Sequence, residues 1–330
     1  MKYLVIFVMF FASYLFADKY ELGHGYKINN ALNMGAYFSL DYANGKSIDR
    51  LRLDDMAVLA YGNLPSNFSY LAELEAAPFY IKDYKNGTSQ TNTTPHKERM
   101  YLNYSYSDML NFRLGKFITP IGYWNLEPIN VLRDTDSNPL YAQNMFPKFV
   151  TGIETYGYLD EDGRTQYHLF GQSTDDIDKN YINIQNDFFI GASVGYEISD
   201  EIDVGSAVGY YETYTKKDVS LVEANTKYDN YPFLLQTEWA YTSIQNNVLN
   251  SNAYQVGGYL QGMYNINPKN ALVSRYEYFK DTQKNVMSEN HIGIIGYSYR
   301  PFYAVSIKGE YQFNSDSYLN KAIISLSVLF

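Results

Sequence analysis

Several kinds of residue are missing or scarce in this sequence. There is no cysteine, which excludes a disulfide framework, a cysteine-ligated zinc site and a cysteine nucleophile. Basic residues are outnumbered, with 26 Lys and Arg against 36 Asp and Glu, and a formal net charge of −10 argues against nucleic acid as a partner. The 22 glycines are too few for a collagen-like repeat, whereas 36 Tyr and 19 Phe give too much buryable surface for a disordered chain.

The N-terminal segment has the pattern of a secretory signal peptide. Lys2 precedes an apolar run over residues 3–16, and Ala17 ends it before a polar stretch. This run is shorter than the roughly 20 residues that a membrane-spanning helix needs. We therefore predict a signal peptide over residues 1–17, cleaved after Ala17, and export of the mature chain. No later apolar run is long enough for a transmembrane helix.

After this segment, apolar residues recur at every second position, which is typical of strands with one apolar and one polar face. In residues 68–76, for example, Leu74 lies on the apolar face and Glu73 and Glu75 on the polar one. The last segment, residues 319–330, alternates in the same way. The pattern predicts an all-β protein.

Three features favour a membrane barrel over a soluble sandwich, whose strands also alternate. The segments run to about 9–12 residues, the length that a tilted strand needs to cross a bilayer. Tyrosines repeatedly lie near segment ends, and short connections alternate with long ones, as in bacterial outer-membrane barrels. We therefore predict a transmembrane antiparallel β-barrel as a single domain over residues 18–330, in the bacterial outer membrane.

The alternation gives sixteen strands, with fourteen as the alternative if two weakly patterned segments fail, because single-chain bacterial barrels have even strand numbers. The predicted strands are residues 32–40, 50–61, 67–77, 98–106, 109–117, 148–159, 163–172, 188–198, 202–213, 219–228, 232–243, 253–264, 270–280, 290–299, 302–313 and 321–330. A sixteen-stranded barrel is wide enough to leave an aqueous channel.

The longest connection, residues 118–148, follows the fifth predicted strand. A connection of this length in a compact domain is usually functional or disordered. Pro120, Pro128 and Pro139, together with several aromatic residues, favour an ordered loop.

Two stretches carry a more specific pattern, FRLGKFITPIGYWN at 112–125 and YPFLLQTEWAY at 231–241. They resemble the phosphate-selective porin O/P family and related trimeric porins. The matching positions are Arg113, Gly115, Phe117, Pro120, Gly122, Pro232, Leu235, Gln236, Glu238 and Trp239. The resemblance implies a homotrimeric porin whose loop after the fifth strand folds inward and narrows the barrel. The alternating C-terminus ending in Phe330 resembles the strand signal that the barrel assembly machinery reads.

That family lines its pores with Arg and Lys, whereas this chain is acidic, so phosphate selectivity is not carried over. The charges assigned to the interior have both signs, which predicts low selectivity or a weak cation preference. The candidate pore-lining or constriction residues are Glu73, Glu75, Arg99, Arg113, Lys116, Tyr123, Trp124, Glu127, Arg133, Asp134, Asp136, Arg275, Glu277, Lys308 and Glu310. Arg113 is open to a second interpretation, a structural ion pair in the wall with Glu73 or Glu75.

We predict passive diffusion of small hydrophilic solutes or ions, without a cofactor, a metal or catalysis. The four histidines are far apart in sequence and no Gly-x-Ser-x-Gly occurs, which argues against an enzyme. Two alternatives stay open: a barrel that acts through its external loops as an adhesin or receptor, and a barrel enzyme acting on lipid. The cluster Asp175-Asp176-Ile177-Asp178 is interpreted as a solvated external loop and not as a cation site.

Overall fold

The alternating segments form strands of a closed antiparallel barrel in a computed structural model of the chain. The structure describes residues 20–181, 184–284 and 287–330. The predicted signal peptide, residues 1–17, lies outside the described residues.

The strands, in chain order, are β1 (Tyr20–Glu21), β2 (Gly25–Lys27), β3 (Asn33–Gly45), β4 (Asp49–Leu64), β5 (Phe68–Ala76), β6 (Tyr80–Asp83), β7 (Thr88–Thr91), β8 (His96–Ser107), β9 (Leu110–Ile118), β10 (Phe149–Tyr158), β11 (Thr165–Gln172), β12 (Asn186–Ser199), β13 (Ile202–Thr213), β14 (Lys217–Asn230), β15 (Phe233–Asn246), β16 (Ser251–Asn267), β17 (Asn270–Asp281), β18 (Ser288–Phe302), β19 (Val305–Asn314) and β20 (Lys321–Leu329). The helices are α1 (Tyr123–Leu126) and α2 (Leu140–Asn144), with 3-10 turns at Asn130–Leu132 and Ser317–Leu319.

Sixteen strands, β3–β5 and β8–β20, form the barrel. Each pairs with the next along the chain, and β20 closes the barrel against β3, with Leu329 opposite Tyr37. Strands β1 and β2 form a hairpin that pairs with the start of β3, and β6 and β7 form a hairpin beside β4. The prediction of sixteen strands is confirmed, and each barrel strand is overlapped by its predicted segment.

One turn lies elsewhere than the alternation predicts. The predicted strands 290–299 and 302–313 leave a turn at residues 300–301, but β18 continues to Phe302 and the turn occupies residues 303–304. The register shifts between Tyr299 and Phe302. An irregular pairing of this kind interrupts the apolar–polar alternation, so the pattern does not predict the last residues of β18.

The two faces of the barrel wall have opposite character. On β19, Ile307 and Tyr311 are exposed, whereas Lys308 and Glu310 are buried. On β17 the exposed Tyr276 lies between the buried Arg275 and Glu277. Successive side chains of a strand point to opposite faces, so the outer surface is apolar and the charged residues point into the barrel. Among the described residues, no helix is long and apolar enough to span a membrane.

The connections at the two ends of the barrel differ in length. At one end, turns such as 108–109, 200–201 and 268–269 are only two residues long. At the other end lie the longest connections, 77–95, 119–148 and 173–185. This asymmetry agrees with the sequence-based prediction of short turns opposite long loops.

Candidate channel and constriction loop

The connection 119–148 is the longest, and most of its apolar side chains are buried. Ile121, Trp124, Tyr141, Met145 and Phe146 are all at most 5% exposed. Because the outer surface of the barrel remains exposed, a loop with so many buried side chains lies against the inner face.

An apolar cluster joins the loop to one half of the inner wall. The wall residues of this cluster come from strands β9 to β17: Phe117, Val150, Phe170, Phe189, Ala207, Tyr211, Val219, Leu221, Ala240, Ile244, Tyr259 and Phe279. Each fully buried large apolar side chain contributes roughly 1.5–3 kcal/mol. This packing offsets much of the conformational entropy lost when the loop is ordered, about 1–2 kcal/mol per residue.

Glu238 on β15 is the centre of the loop's attachment. Its Oε1 accepts a hydrogen bond from the Trp124 backbone N–H at 2.8 Å, and the hydroxyls of Tyr141 and Tyr259 also donate to this carboxylate. Gly122, which precedes α1, has φ 67°, and a Cβ atom there would overlap Glu238 Oε2. Glycine therefore suits this position twice, by its backbone conformation and by its missing side chain. The two stretches singled out in the sequence thus meet at this point.

Two further wall carboxylates accept backbone N–H groups of the loop. Glu277 on β17 accepts from the N–H of Leu140, the first residue of α2, at 3.1 Å. Glu310 on β19 accepts from the N–H of Asp136 at 2.9 Å. Hydrogen bonds to an ionised acceptor are stronger than neutral ones, about 1.5–3 kcal/mol net.

Basic wall residues hold the loop through its carbonyl oxygens. Arg275 donates to the Ser137 carbonyl at 2.8 Å, and its guanidinium pairs with Glu277 at 2.8 Å. Lys308 donates to the Asn130 carbonyl at 2.7 Å. Arg300 donates to the Arg133 carbonyl at 2.7 Å. The loop is therefore fixed to the wall formed by β15, β17, β18 and β19 along most of its length.

The opposite wall, formed by β3, β4, β5 and β8, carries closely spaced carboxylates. The Tyr37 hydroxyl lies 2.7 Å from Glu73 Oε1 and 3.2 Å from Glu98 Oε2. Arg99 forms an ion pair with Glu73. Arg52 pairs with Asp41 at 2.7 Å and with Asp54 at 2.9 Å.

A cavity of about 480 Å³ lies between the loop and this acidic wall. Its charged lining residues are Arg52, Asp54, Asp55, Glu75, Glu98, Arg133, Asp136 and Lys148. Five of these carry a carboxylate and three a basic group, so acidic groups predominate. Burial lowers the pKa of the Arg133 guanidinium from its usual high value.

A second connection, residues 173–185, also contacts the inner wall. Asp176 accepts from the fully buried Lys116 at 2.8 Å, and Asp178 accepts from the Lys97 backbone N–H at 2.9 Å. The Tyr181 hydroxyl donates to Glu75, and Tyr181 lines the cavity. The interpretation of this cluster as a solvated loop is therefore wrong for Asp176, because its carboxylate neutralises the fully buried Lys116. Asp178 binds a backbone N–H that is exposed.

The predicted site residues all lie on the inner face or in the loop, but in different surroundings. Glu75, Trp124, Arg133 and Asp136 line the cavity. The residues that bind the loop are Arg275, Glu277, Lys308 and Glu310. The remaining candidates form pairs elsewhere: Glu73 with Arg99, Lys116 with Asp176, Asp134 with Arg300 at 3.2 Å, the Tyr123 ring with Lys227 at 5.9 Å, and the Glu127 carbonyl with Arg133 at 2.6 Å.

Arg113 points inward and forms an ion pair, but its predicted partners were wrong. It pairs with Glu154 at 2.7 Å and donates to Asn103 at 2.8 Å. The reason is register, since β9 lies between β8 and β10, where Arg113 is opposite Asn103 and Glu154.

Sequence reasoning missed Arg52, Asp54, Asp55 and Glu98 as cavity residues. The three acids lie at β-bulges, where the strand carries one extra residue and simple alternation fails. Asp54 and Asp55 share the interval opposite Ser39, and Glu98 is the extra residue opposite Glu73 and Leu74. The signal in the sequence is the adjacent pair Asp54-Asp55. Strict alternation places neighbouring residues on opposite faces of a strand, so it cannot place both carboxylates inside the barrel.

No protein-family model and no curated protein matches the chain. Solved structures match over most of its length. The chain is similar to Salmonella typhi OmpF in complex with daunomycin, with a TM-score of 0.66, 14% identity, and coverage of 91% of this chain and 98% of that one. It is also similar to the anion-selective porin from Comamonas acidovorans, with a TM-score of 0.60, 12% identity, and coverage of 91% and 99%.

A third match is the outer membrane channel DcaP of Acinetobacter baumannii, with a TM-score of 0.56, 11% identity, and coverage of 93% and 99%. At these identities the likeness concerns the fold, which is that of bacterial outer-membrane porins. The finer resemblance to the phosphate-selective porin O/P family stays a prediction.

Proposed function

We propose that this protein is an outer-membrane porin that lets small hydrophilic solutes diffuse passively through a water-filled lumen. The observation that carries the proposal is the charged cavity of about 480 Å³ between an inward-folded loop and the barrel wall. A polar interior of this kind holds water, and its diameter and charges decide what passes. The chain would be exported through its cleaved signal peptide and act without a chemical step.

In this proposal the loop 119–148 is the constriction. Glu238, Glu277 and Glu310 attach it to one wall. Its Ile129 and Val131 also pack in a buried cluster with Tyr37, Ala57 and Leu59 of β3 and β4, so the loop occupies a fixed part of the lumen. A rigid constriction excludes solutes by size in a way that a mobile loop would not.

The selectivity that we propose is a weak preference for cations. The cavity has five carboxylates against three basic groups, and an excess of acidic groups attracts cations. The fold alone does not set this sign, because a structure with the same fold is described as an anion-selective porin.

We also propose a homotrimer. One matched structure, the in-vitro folded OmpT of Vibrio cholerae, is described as a trimer form. It has a TM-score of 0.64 and 11% identity to this chain, covering 91% of this chain and 99% of that one.

Single-channel recording of the refolded protein in a planar bilayer, under a potassium chloride gradient, tests these proposals. Stable conductance steps, grouped in threes, with a reversal potential of the cationic sign are expected. A strong anion preference would contradict the proposed selectivity. Silence from a folded, heat-modifiable barrel would contradict the porin and direct attention to the external loops.

Deleting residues 123–140 tests the constriction. This deletion removes α1 and the segment that crosses the lumen, so conductance should rise clearly above that of the intact protein. Deleting residues 84–87, the exposed turn between β6 and β7, is the control and should leave conductance unchanged. An unchanged conductance after the first deletion would show that the loop does not limit flow.

A further inference from the structure

The inward carboxylates of this barrel are of two kinds, distinguished by what they bind. Glu238, Glu277 and Glu310 each accept at least one backbone N–H of the loop 119–148. Their charge is directed at the loop, and none of the three lines the cavity of about 480 Å³.

The carboxylates on the opposite wall face that cavity. Asp54, Asp55, Glu75 and Glu98 all line it, together with loop residues such as Asp136. Their partners are mainly side chains at the same cavity: Arg52 contacts Asp54 at 2.9 Å, and Lys148 contacts Glu98 at 3.4 Å.

The neutralisation of each carboxylate makes this difference matter for a passing ion. Two unit charges in water interact weakly beyond a Debye length, about 8–10 Å at physiological ionic strength. Glu310 is not outside that range, because it binds Asp136, which lines the cavity. The difference is that the N–H dipoles of the loop offset the charge of a carboxylate that binds the loop backbone, whereas Asp54, Asp55, Glu75 and Glu98 line the cavity themselves.

We infer that the acidic wall formed by Asp54, Asp55, Glu75 and Glu98 determines the charge selectivity of the channel, and that Glu277 and Glu310 position the loop without contributing to selectivity. The inference rests on the proposed porin function. It assigns the specificity-determining role to four residues of one wall, three of which lie at strand irregularities.

The basic residues at the same cavity determine how strong the preference for cations is. Arg52, Arg133 and Lys148 offset part of the acidic charge, so the preference for cations is partial. Substituting Lys148 tests the direction of this effect, because the substitution removes a positive charge and leaves its partner Glu98 in place. Removing its positive charge should strengthen the cation preference.

Two double variants with the same change in charge and the same chemistry provide the test. One is Asp55→Asn with Glu98→Gln, and the other is Glu277→Gln with Glu310→Gln. The amides keep an oxygen that can accept the loop N–H groups, but Glu277→Gln also removes the ion-pair partner of Arg275. An unchanged single-channel conductance shows that the second pair retains the loop. If the conductance changes, Glu310→Gln, which breaks no ion pair among the described residues, is compared with Glu98→Gln in its place, with the same expected results. Reversal potentials at pH 8 under a potassium chloride gradient give the cation-to-anion permeability ratio for each.

The first pair should lower the ratio at least about twofold, the Boltzmann factor for one unit charge roughly 10 Å from an ion in water. The second pair should leave the ratio unchanged. Lys148→Met should shift the ratio in the opposite direction to the first pair. Equal shifts in the two double variants, or a larger shift in the second, would overturn the inference.

The failure of the inference is separable from the failure of the proposed function. If the unaltered protein forms no channels, the porin proposal fails before any variant is compared. If it conducts but the two pairs behave alike, the porin stands and the assignment of residues is wrong. If the first pair does not yield a heat-modifiable barrel, Lys148→Met decides alone, and an unchanged ratio then overturns the inference.

Discussion

The two halves of the inner wall use the same kinds of residue for different purposes. On the half formed by β15, β17 and β19, glutamates and basic residues bind the backbone of the loop 119–148 and lie beneath it. On the half formed by β3, β4, β5 and β8, carboxylates face an open cavity and pair with basic side chains at its edge. The chemical type of a residue thus does not tell its role.

The difference arises from the need to satisfy buried polar groups. A loop folded into a barrel brings its own N–H and C=O groups into a poorly hydrated space, where each unpaired group costs about 1–3 kcal/mol. The wall beneath the loop supplies acceptors for N–H and donors for C=O, with Glu310 and Lys308 two residues apart on one strand. The other wall borders the cavity of about 480 Å³, where carboxylates outnumber basic groups.

Removing one guanidinium from each half of the wall should give the largest difference in stability. The Arg275 side chain is fully buried, and Arg275→Met would leave Glu277 without its ion-pair partner, which costs about 3–5 kcal/mol for a buried pair. Arg52 is about a quarter exposed at the cavity, but its partner Asp41 is only 3% exposed. Arg52→Met should therefore cost about 1–3 kcal/mol, as for a buried acceptor left unsatisfied, which is less than Arg275→Met. The midpoint of heat modification on gels measures both. Equal losses would show that the two ion pairs stabilise the barrel equally.

A smaller effect is expected from adding one methyl group at Gly122. Gly122→Ala carries the penalty for a left-handed residue, about 1–2 kcal/mol, and also displaces Glu238 from its place beside α1. Gly87→Ala is the control, because Gly87 has φ 69° but open space around it, so it should carry only the backbone penalty.

Tryptophan fluorescence and the mean conductance would show whether the loop moves in the Gly122 variant. Both glycine variants are made with Trp239→Phe, so that Trp124 is the one tryptophan left in the sequence. A changed emission and a higher conductance are expected there and not in the Gly87 variant. Identical behaviour of the two variants would mean that the contact with Glu238 does not hold the loop.

The smallest effect is expected in the exposed part of the connection 173–185. Asp175 pairs with Lys179, and both side chains are about half exposed, at 50% and 54%. Asp175→Asn should change stability by less than about 0.5 kcal/mol, as for other exposed pairs. A shift comparable to that of Arg275→Met would contradict the distinction between exposed and buried pairs.

Much of the fold was predictable because period-two alternation is a local property. It identified the sixteen strands and placed Glu73, Arg275 and Lys308 on the inner face, since each strand residue points to the side opposite its neighbour. The same rule failed at Asp54, Asp55 and Glu98, because a bulge adds one residue and thereby reverses the face assigned to later residues of the strand.

The partners of the charged residues were not predictable in the same way. Arg113 was expected beside Glu73 or Glu75, but the order of strands puts Glu154 there instead. Asp176 was expected to be a loop residue exposed to water, but its carboxylate forms an ion pair with Lys116, which is distant in sequence. Such pairs join residues that are 41 and 60 positions apart, and no local pattern carries that information.

The sequence by itself determined the export signal that we predict, the number of strands and the polarity of the two faces, because each depends on residues that are close together in the sequence. Only the tertiary structure decided which inward charges bind the loop and which face the cavity. That division depends on the path of the loop 119–148 and on the register of strands far apart in the chain, which set the distance between each charge and its partner.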